Sequence, residues 1–331
     1  MENESKKIKL INMQDVKPEE IKWLLPPFIP FGKITIVQGD PGEGKTTMML
    51  QIIAKLTKGE PIIPHEDEKV EGNKECKTAI NVLYQTAEDG LGDTIKPRLL
   101  AAGADCSKVF VVDESDCPLT MIDNRLEEAI VETSAKLVVL DPIQGYLGAN
   151  VDMHRANEIR PVMKKLSSLA EKYQCAIVLV GHLNKNSIGK SSYRGLGSID
   201  FLAAARSVLL VGRKKDDPEL RVVCHVKSSL APEGKSIAFR LNKEEGFEWI
   251  GECDVSADDL LTGTAKGQKL REAKKFLTNM LSEQAVPQKE IMYEAQKDGI
   301  KEKTLYNAKK ELGIHAIKDK NQWYWSLDES K

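Results

Sequence analysis

Six apolar runs rich in β-branched residues recur along the chain: ITIVQ at 34–38, AINVLYQ from Ala79, KVFVV at 108–112, KLVVLD at 136–141, CAIVLVG at 175–181 and SVLLVG at 207–212. Stretches with helical spacing separate them. A strand with one wet face alternates apolar and polar residues, so runs without alternation predict strands of a parallel sheet covered on both faces. RVVCHVKS, SIAFRLN and FEWIG then follow at the short spacing of antiparallel strands, predicting an antiparallel extension at one edge. The pattern predicts an α/β domain over residues 1–252 with a mostly parallel central sheet.

Residues 253–267 are polar and Gly/Thr-rich without a strong period, which predicts a linker. Beyond it KLREAKKFLTNML, PQKEIMYEAQKDG and KEKTLYNAKKELG carry three short helical patterns. IHAIK and QWYWSL follow around a DKN turn. Three helices and a two-stranded wing predict a winged helix-turn-helix over 268–328. Trp323 and Trp325 alternate with Tyr324, which predicts tryptophans capping the core of this unit.

At 331 residues the chain is long enough for about two domains, which agrees with this division. Charge adds one distinction. With 48 Lys and Arg against 50 Asp and Glu, the whole chain has no field that marks a nucleic-acid or membrane binder, yet Gly263–Lys331 holds 14 basic against 10 acidic residues. No apolar run approaches the roughly 18 residues of a membrane span, and the start MENESKKIKL lacks the apolar core of a signal peptide, so a cytoplasmic protein with no membrane partner is expected. The six cysteines include no C-x-x-C pair and suit reduced thiols.

The chemistry begins after the first strand. GDPGEGKT (Gly39, Asp40, Pro41, Gly42, Glu43, Gly44, Lys45, Thr46) joins a strand to a helix and fits G-x-x-x-x-G-K-(Ser/Thr). Glycines let backbone amides turn inward around a triphosphate, and the helix adds its positive end. Lys45 is expected to reach the β- and γ-phosphates and Thr46 to ligate Mg2+, with ATP as the nucleotide. Thr47 either helps cap the helix or touches a phosphate. Asp141 ends KLVVLD, where a carboxylate holds Mg2+ through water, although Asp-Pro also opens ordinary turns. NVLYQTAED ends with Glu88 and Asp89; Glu88 is the candidate general base, and Asp89 is expected mainly to cap the next helix. His182 ends CAIVLVGH at the carboxyl end of a strand, where open α/β sheets bind ligands, and is the candidate γ-phosphate sensor.

GDPGEGKTT, AEDGLGDTIKPRLLAAGAD, LDPIQGYLGANVDMHRANEIRPVMKKL, GHLNK and SSYRGLGSIDFLAAARSVLLV, in that order, resemble successive motifs of the RecA-fold hexameric ATPases of the RepA type, found in plasmids and phage-related elements. The resemblance covers residues 20–250. It implies a RecA-like P-loop core, a ring of six copies with ATP between neighbours, Glu88 as catalytic base and His182 as sensor. It also implies an arginine supplied to the γ-phosphate from the adjacent subunit, for which Arg206 matches best and Arg194 is the alternative. Relatives of the DnaB type carry a Lys-x-Arg pair on a late strand; here Lys227 is followed by Ser228 and Ser229, so that arginine is missing. The segments Gln144 to Arg155 and Lys185 to Ser198 resemble loops facing the central channel, and Lys185, Lys190 and Arg194 suit a grip on single-stranded DNA. The tail resembles DNA-binding winged helices, in which Lys303, Asn307 and Lys310, with Lys301, Tyr306 and Lys309, would lie on the helix that reads duplex DNA. The expected function is an Mg-dependent ATPase acting on DNA in replication of a plasmid, phage or integrated element, as a helicase. The alternatives are an ATP-switched DNA-binding or loading factor that does not unwind, and an ATPase acting on protein partners.

Overall fold

A computed structural model describes residues 10–63, 78–149, 151–183, 199–214, 217–242, 244, 246–262, 265–282, 284–319 and 322–327. Lys185, Lys190 and Arg194 lie outside these residues.

In chain order the elements are β1 (Trp23–Leu25), β2 (Ile29–Pro30), β3 (Ile34–Gly39), α1 (Lys45–Lys58), β4 (Val82–Thr86), α2 (Lys96–Ala101), β5 (Val109–Phe110), α3 (Asn124–Thr133), β6 (Leu137–Asp141), α4 (Ala156–Tyr173), β7 (Ala176–His182), α5 (Ile199–Ala204), β8 (Ser207–Lys214), β9 (Asp217–Ser228), β10 (Ser236–Asn242), β11 (Gly246–Cys253) and α6 (Ala257–Thr262). After these come α7 (Ala265–Met280), β12 (Val286–Pro287), α8 (Gln288–Lys297), α9 (Glu302–Glu311), β13 (His315–Asp319) and β14 (Gln322–Ser326).

Among the described residues nine strands form one sheet in the order β11-β10-β9-β8-β3-β7-β6-β4-β5. From β8 to β5 every pairing is parallel, and β9, β10 and β11 are antiparallel, as the sequence predicts. The unalternating runs acquire a plain reason here. Val37, Val139 and Val178 face the cluster that contains α1, whereas Ile36, Val138 and Ile177 face the cluster that contains α3 and α4. Both faces are dry, so the runs are mostly apolar, with Thr35, Gln38 and Gln85 as buried polar exceptions. The run at 108–112 pairs over only Val109 and Phe110, as a short edge strand.

The segment expected to be a linker holds the short helix α6. Leu260 packs beside Leu183, Leu210 and Val222, and a side chain at Gly212 would press on it. The two leucines and one alanine in VSADDLLTG are too sparse to register as a period, yet they suffice to seat a short helix on the sheet.

The C-terminal elements have their own core. Ala273 and Leu277 of α7, Ile291 and Ala295 of α8, Leu305 and Ala308 of α9, and Trp325 of β14 bury together. The strands pair antiparallel in the order β12-β14-β13, so the expected hairpin gains a third short strand. Trp325 is fully buried, but Trp323 is 47 % exposed and does not cap the core as expected; Lys318 lies over its ring instead.

Candidate functional site

The parallel strands β3, β7, β6 and β4 deliver their carboxyl ends to one edge of the sheet, and the chemistry-bearing residues follow from that topology. β3 runs into Gly39, and the loop to Gly44 carries left-handed backbone at Gly42 (φ +80°) and Gly44 (φ +86°). L side chains seldom adopt this region, which explains glycine at both. Gly44 is the N-cap of α1, and no side chain caps the helix, Thr47 included. The first amides of α1 therefore stay free for an anion.

Lys45, buried at the first position of α1, turns back over the loop. Its ammonium donates to the carbonyls of Gly39 and Asp40, each at 2.9 Å, and lies 3.2 Å from Nδ1 of His182. Burial pulls the Lys45 pKa down from the ordinary lysine range, and the field of Asp141, Asp40, Glu43 and Glu88 opposes the shift. Register explains the meeting of the two residues, because Gly39 is directly paired with His182 across β3 and β7.

Thr46 donates its hydroxyl to Oδ2 of Asp141 at 2.7 Å. Asp141 is buried at the end of β6, and burial raises its pKa while the Thr46 and Tyr84 hydroxyls and Lys45 hold it down. A threonine hydroxyl and a carboxylate this close form a hard oxygen pair, the donor type that Mg2+ takes when it keeps waters and phosphate oxygens as its other ligands. Glu88 follows β4, exposed, and its charge acts on both Lys45 and Asp141.

Other expectations are redistributed. Asp89 does not cap the following helical turn, whose N-cap is Gly90 without a side-chain bond. Its carboxylate instead takes Arg98 at 3.2 Å, and its amide donates to Thr86. Arg206 is exposed, with its amide on Ile34 at 3.0 Å, at the amino end of β8. Gly39 lies five steps along β3 from Ile34, so Arg206 and its own phosphate loop stand about 16 Å apart along the strands, beyond the reach of one side chain. Lys227, on β9, donates to the carbonyls of Leu202, Ala203 and Ala205 at 2.6, 3.2 and 2.8 Å. It thereby closes the carboxyl end of α5.

One residue that sequence reasoning missed is Arg213 near the end of β8. Its Nη2 donates to the Gly42 carbonyl at 3.5 Å, and its Nε is 3.7 Å from Glu43. A basic residue ending SVLLVGRK beside the phosphate-loop strand was the available signal. On α9, Lys303, Asn307 and Lys310 are all exposed, at the three- and four-residue spacing that shares one face. Lys309 leaves that face, because its ammonium sits over the Trp325 ring at 4.5 Å.

A glycine-rich loop between a parallel strand and a helix, with a lysine turned over it and a threonine-aspartate pair beside it, defines a RecA-like P-loop ATPase domain, a class that binds nucleotide together with a metal. Residues 3–187 match the family model AAA_25, described as an AAA domain, and the chain belongs to that family. It is 27 % identical over 173 residues to the DNA repair protein RadA of Halalkalibacterium halodurans, covering 52 % of this chain and 32 % of that protein. It is 24 % identical over 234 residues to the protein RecA of Chloroherpeton thalassium, covering 68 % and 61 %. The chain therefore spans about a third of the length of this RadA relative. Among solved structures, a KaiC-like protein from the hyperthermophilic archaeon Pyrococcus horikoshii superposes with a TM-score of 0.48 at 18 % identity, over 70 % of this chain and 98 % of that one. Among the described residues no helix is long and apolar enough to cross a membrane.

Proposed function

We propose that the chain is an Mg-dependent ATPase of the RepA type that forms a ring, six copies with ATP between neighbours, and moves on DNA as a helicase of a plasmid, phage or integrated element. The observation that carries the reading is the convergence of Lys45, Thr46, Asp141 and His182 at adjacent strand ends, with Glu88 beside them. The similarity to a DNA repair protein supports DNA as the partner.

In this reading the loop amides and Lys45 hold the β- and γ-phosphates, and Thr46 with Asp141 holds Mg2+, which supplies charge neutralisation on the phosphate oxygens. Glu88 orients the attacking water and takes its proton. His182 exchanges its contact with Lys45 for the γ-phosphate and so reports the state of the nucleotide to the segment beyond it, where Lys185, Lys190 and Arg194 grip single-stranded DNA. The C-terminal unit is a winged helix over 268–328, joined by 253–267, that sets Lys303, Asn307 and Lys310 against duplex DNA.

The deciding measurement is ATP turnover with Mg2+, with and without single-stranded DNA, beside strand displacement on a forked duplex. Turnover stimulated by DNA, with displacement, is expected; turnover without displacement would favour an ATP-switched loading factor, and no turnover would end the enzyme reading. Changing Lys185 and Lys190 to Ala is expected to abolish DNA stimulation and spare basal turnover. Equal stimulation would remove the two lysines from the DNA contact.

The tail has a separate test. Changing Lys303 and Lys310 to Ala is expected to weaken duplex binding similarly for all sequences and to flatten the dependence of log affinity on log salt by about 2. An unchanged slope would take this face off the DNA.

A further inference from the structure

Tyr84 is fully buried in the middle of β4, among the apolar residues that pack against α1. Phenylalanine would fill nearly the same volume, and a buried hydroxyl is costly unless it finds a partner. The Tyr84 hydroxyl donates to Oδ2 of Asp141 at 3.2 Å. That oxygen also receives the Thr46 hydroxyl, at 2.7 Å, so one oxygen of the carboxylate collects two donors from two different elements.

Rotation of a carboxylate about its last bond is soft, with broad minima. A metal-holding aspartate therefore needs outside donors to keep one oxygen presented. Thr46 is a poor sole anchor, since it stands at the start of α1 on the loop that receives the nucleotide. Tyr84 stands on the sheet itself. β4 and β6 are paired through Gln85 and Leu140 to Thr86 and Asp141, and the Ala87 amide donates to the Asp141 carbonyl at 3.1 Å, so the phenol and the aspartate backbone share one rigid frame.

We infer that Tyr84 is a positioning residue for Mg2+: its hydroxyl fixes the rotation of the Asp141 carboxylate from beneath, in the orientation that would hold the metal. The inference rests on the reading of Asp141 given above. Partners of this kind behind a metal ligand are worth about tenfold or more in metal affinity. Lys45 bonds to the Gly39 and Asp40 carbonyls and His182, not to the phenol, so removing the Tyr84 hydroxyl leaves the phosphate cradle intact.

The test is Tyr84→Phe, which keeps the ring. The affinity of a fluorescent ADP analogue is measured first without metal and then as Mg2+ is added, and ATP turnover is followed over the same Mg2+ range. Metal-free affinity is expected within about twofold of the parent, the Mg2+ midpoint about tenfold higher, and turnover largely restored at saturating Mg2+. An unchanged midpoint in a protein that hydrolyses ATP would overturn the role of Tyr84 alone. Equal loss of ADP affinity with and without metal would reduce Tyr84 to packing. If the parent protein shows no Mg2+ dependence at all, the reading of Asp141 itself falls, and Tyr84 with it.

Discussion

Arg206→Ala is expected to lower ATP turnover by about three to five orders of magnitude, the range set by arginines that neutralise a transferring phosphoryl group. Little cost in stability is expected, because the side chain is exposed. The position argues for action on a neighbour. Arg206 flanks Ile34, at the end of β3 away from Gly39, so its own loop is out of reach. The proposed ring would bring the far end of one sheet against the loop end of the next. The decisive experiment is mixing: Arg206→Ala and Lys45→Ala chains, each inactive, are expected to regain part of the turnover together, since some interfaces then combine an intact loop with an intact arginine. No regain, or an Arg206→Ala chain as active as the parent, would remove Arg206 from the chemistry.

Glu88→Gln is expected to reduce turnover by about two to four orders of magnitude while ATP stays bound, because an amide keeps the shape but cannot accept the water's proton. Affinity for nucleotide is expected to rise slightly or stay level, since the Glu88 charge acts on Lys45 and Asp141 but makes no hydrogen bond to them. Rapid-quench turnover beside equilibrium binding of ATP separates the two effects. Equal turnover in the variant would pass the base to another group.

The central sheet was legible because burial on both faces favours apolar residues on both sides of each strand, and Val37, Val139 and Val178 stand where that argument puts them. The loop was legible because backbone conformation demands glycine at Gly42 and Gly44, and at Gly44 the nearby Leu241 and Phe239 side chains leave little room besides. Thr46 and Asp141 were each legible as Mg2+ candidates, one after the loop and one at a strand end, but the direct bond between them appears only in the structure. What sequence could not reveal were choices settled across space. Asp89 pairs with Arg98 of α2 instead of capping. Trp323 and Trp325 share a strand face by alternation, yet only Trp325 meets the helices, because Trp323 lies farther along the hairpin toward the turn. Arg213 and Tyr84 look like ordinary strand residues until the neighbouring elements place Gly42 and Asp141 opposite them.

Lys227 carries a last implication. An ammonium has three protons, and three backbone oxygens of the α5 terminus consume them all. At this point of the late strand the cation serves as a rivet between β9 and the turn that leads into β8, with no proton left to extend outward. A guanidinium, flat and forked, does not match three oxygens clustered around a helix end, so lysine suits position 227, while on the adjoining turn Arg206 is exposed.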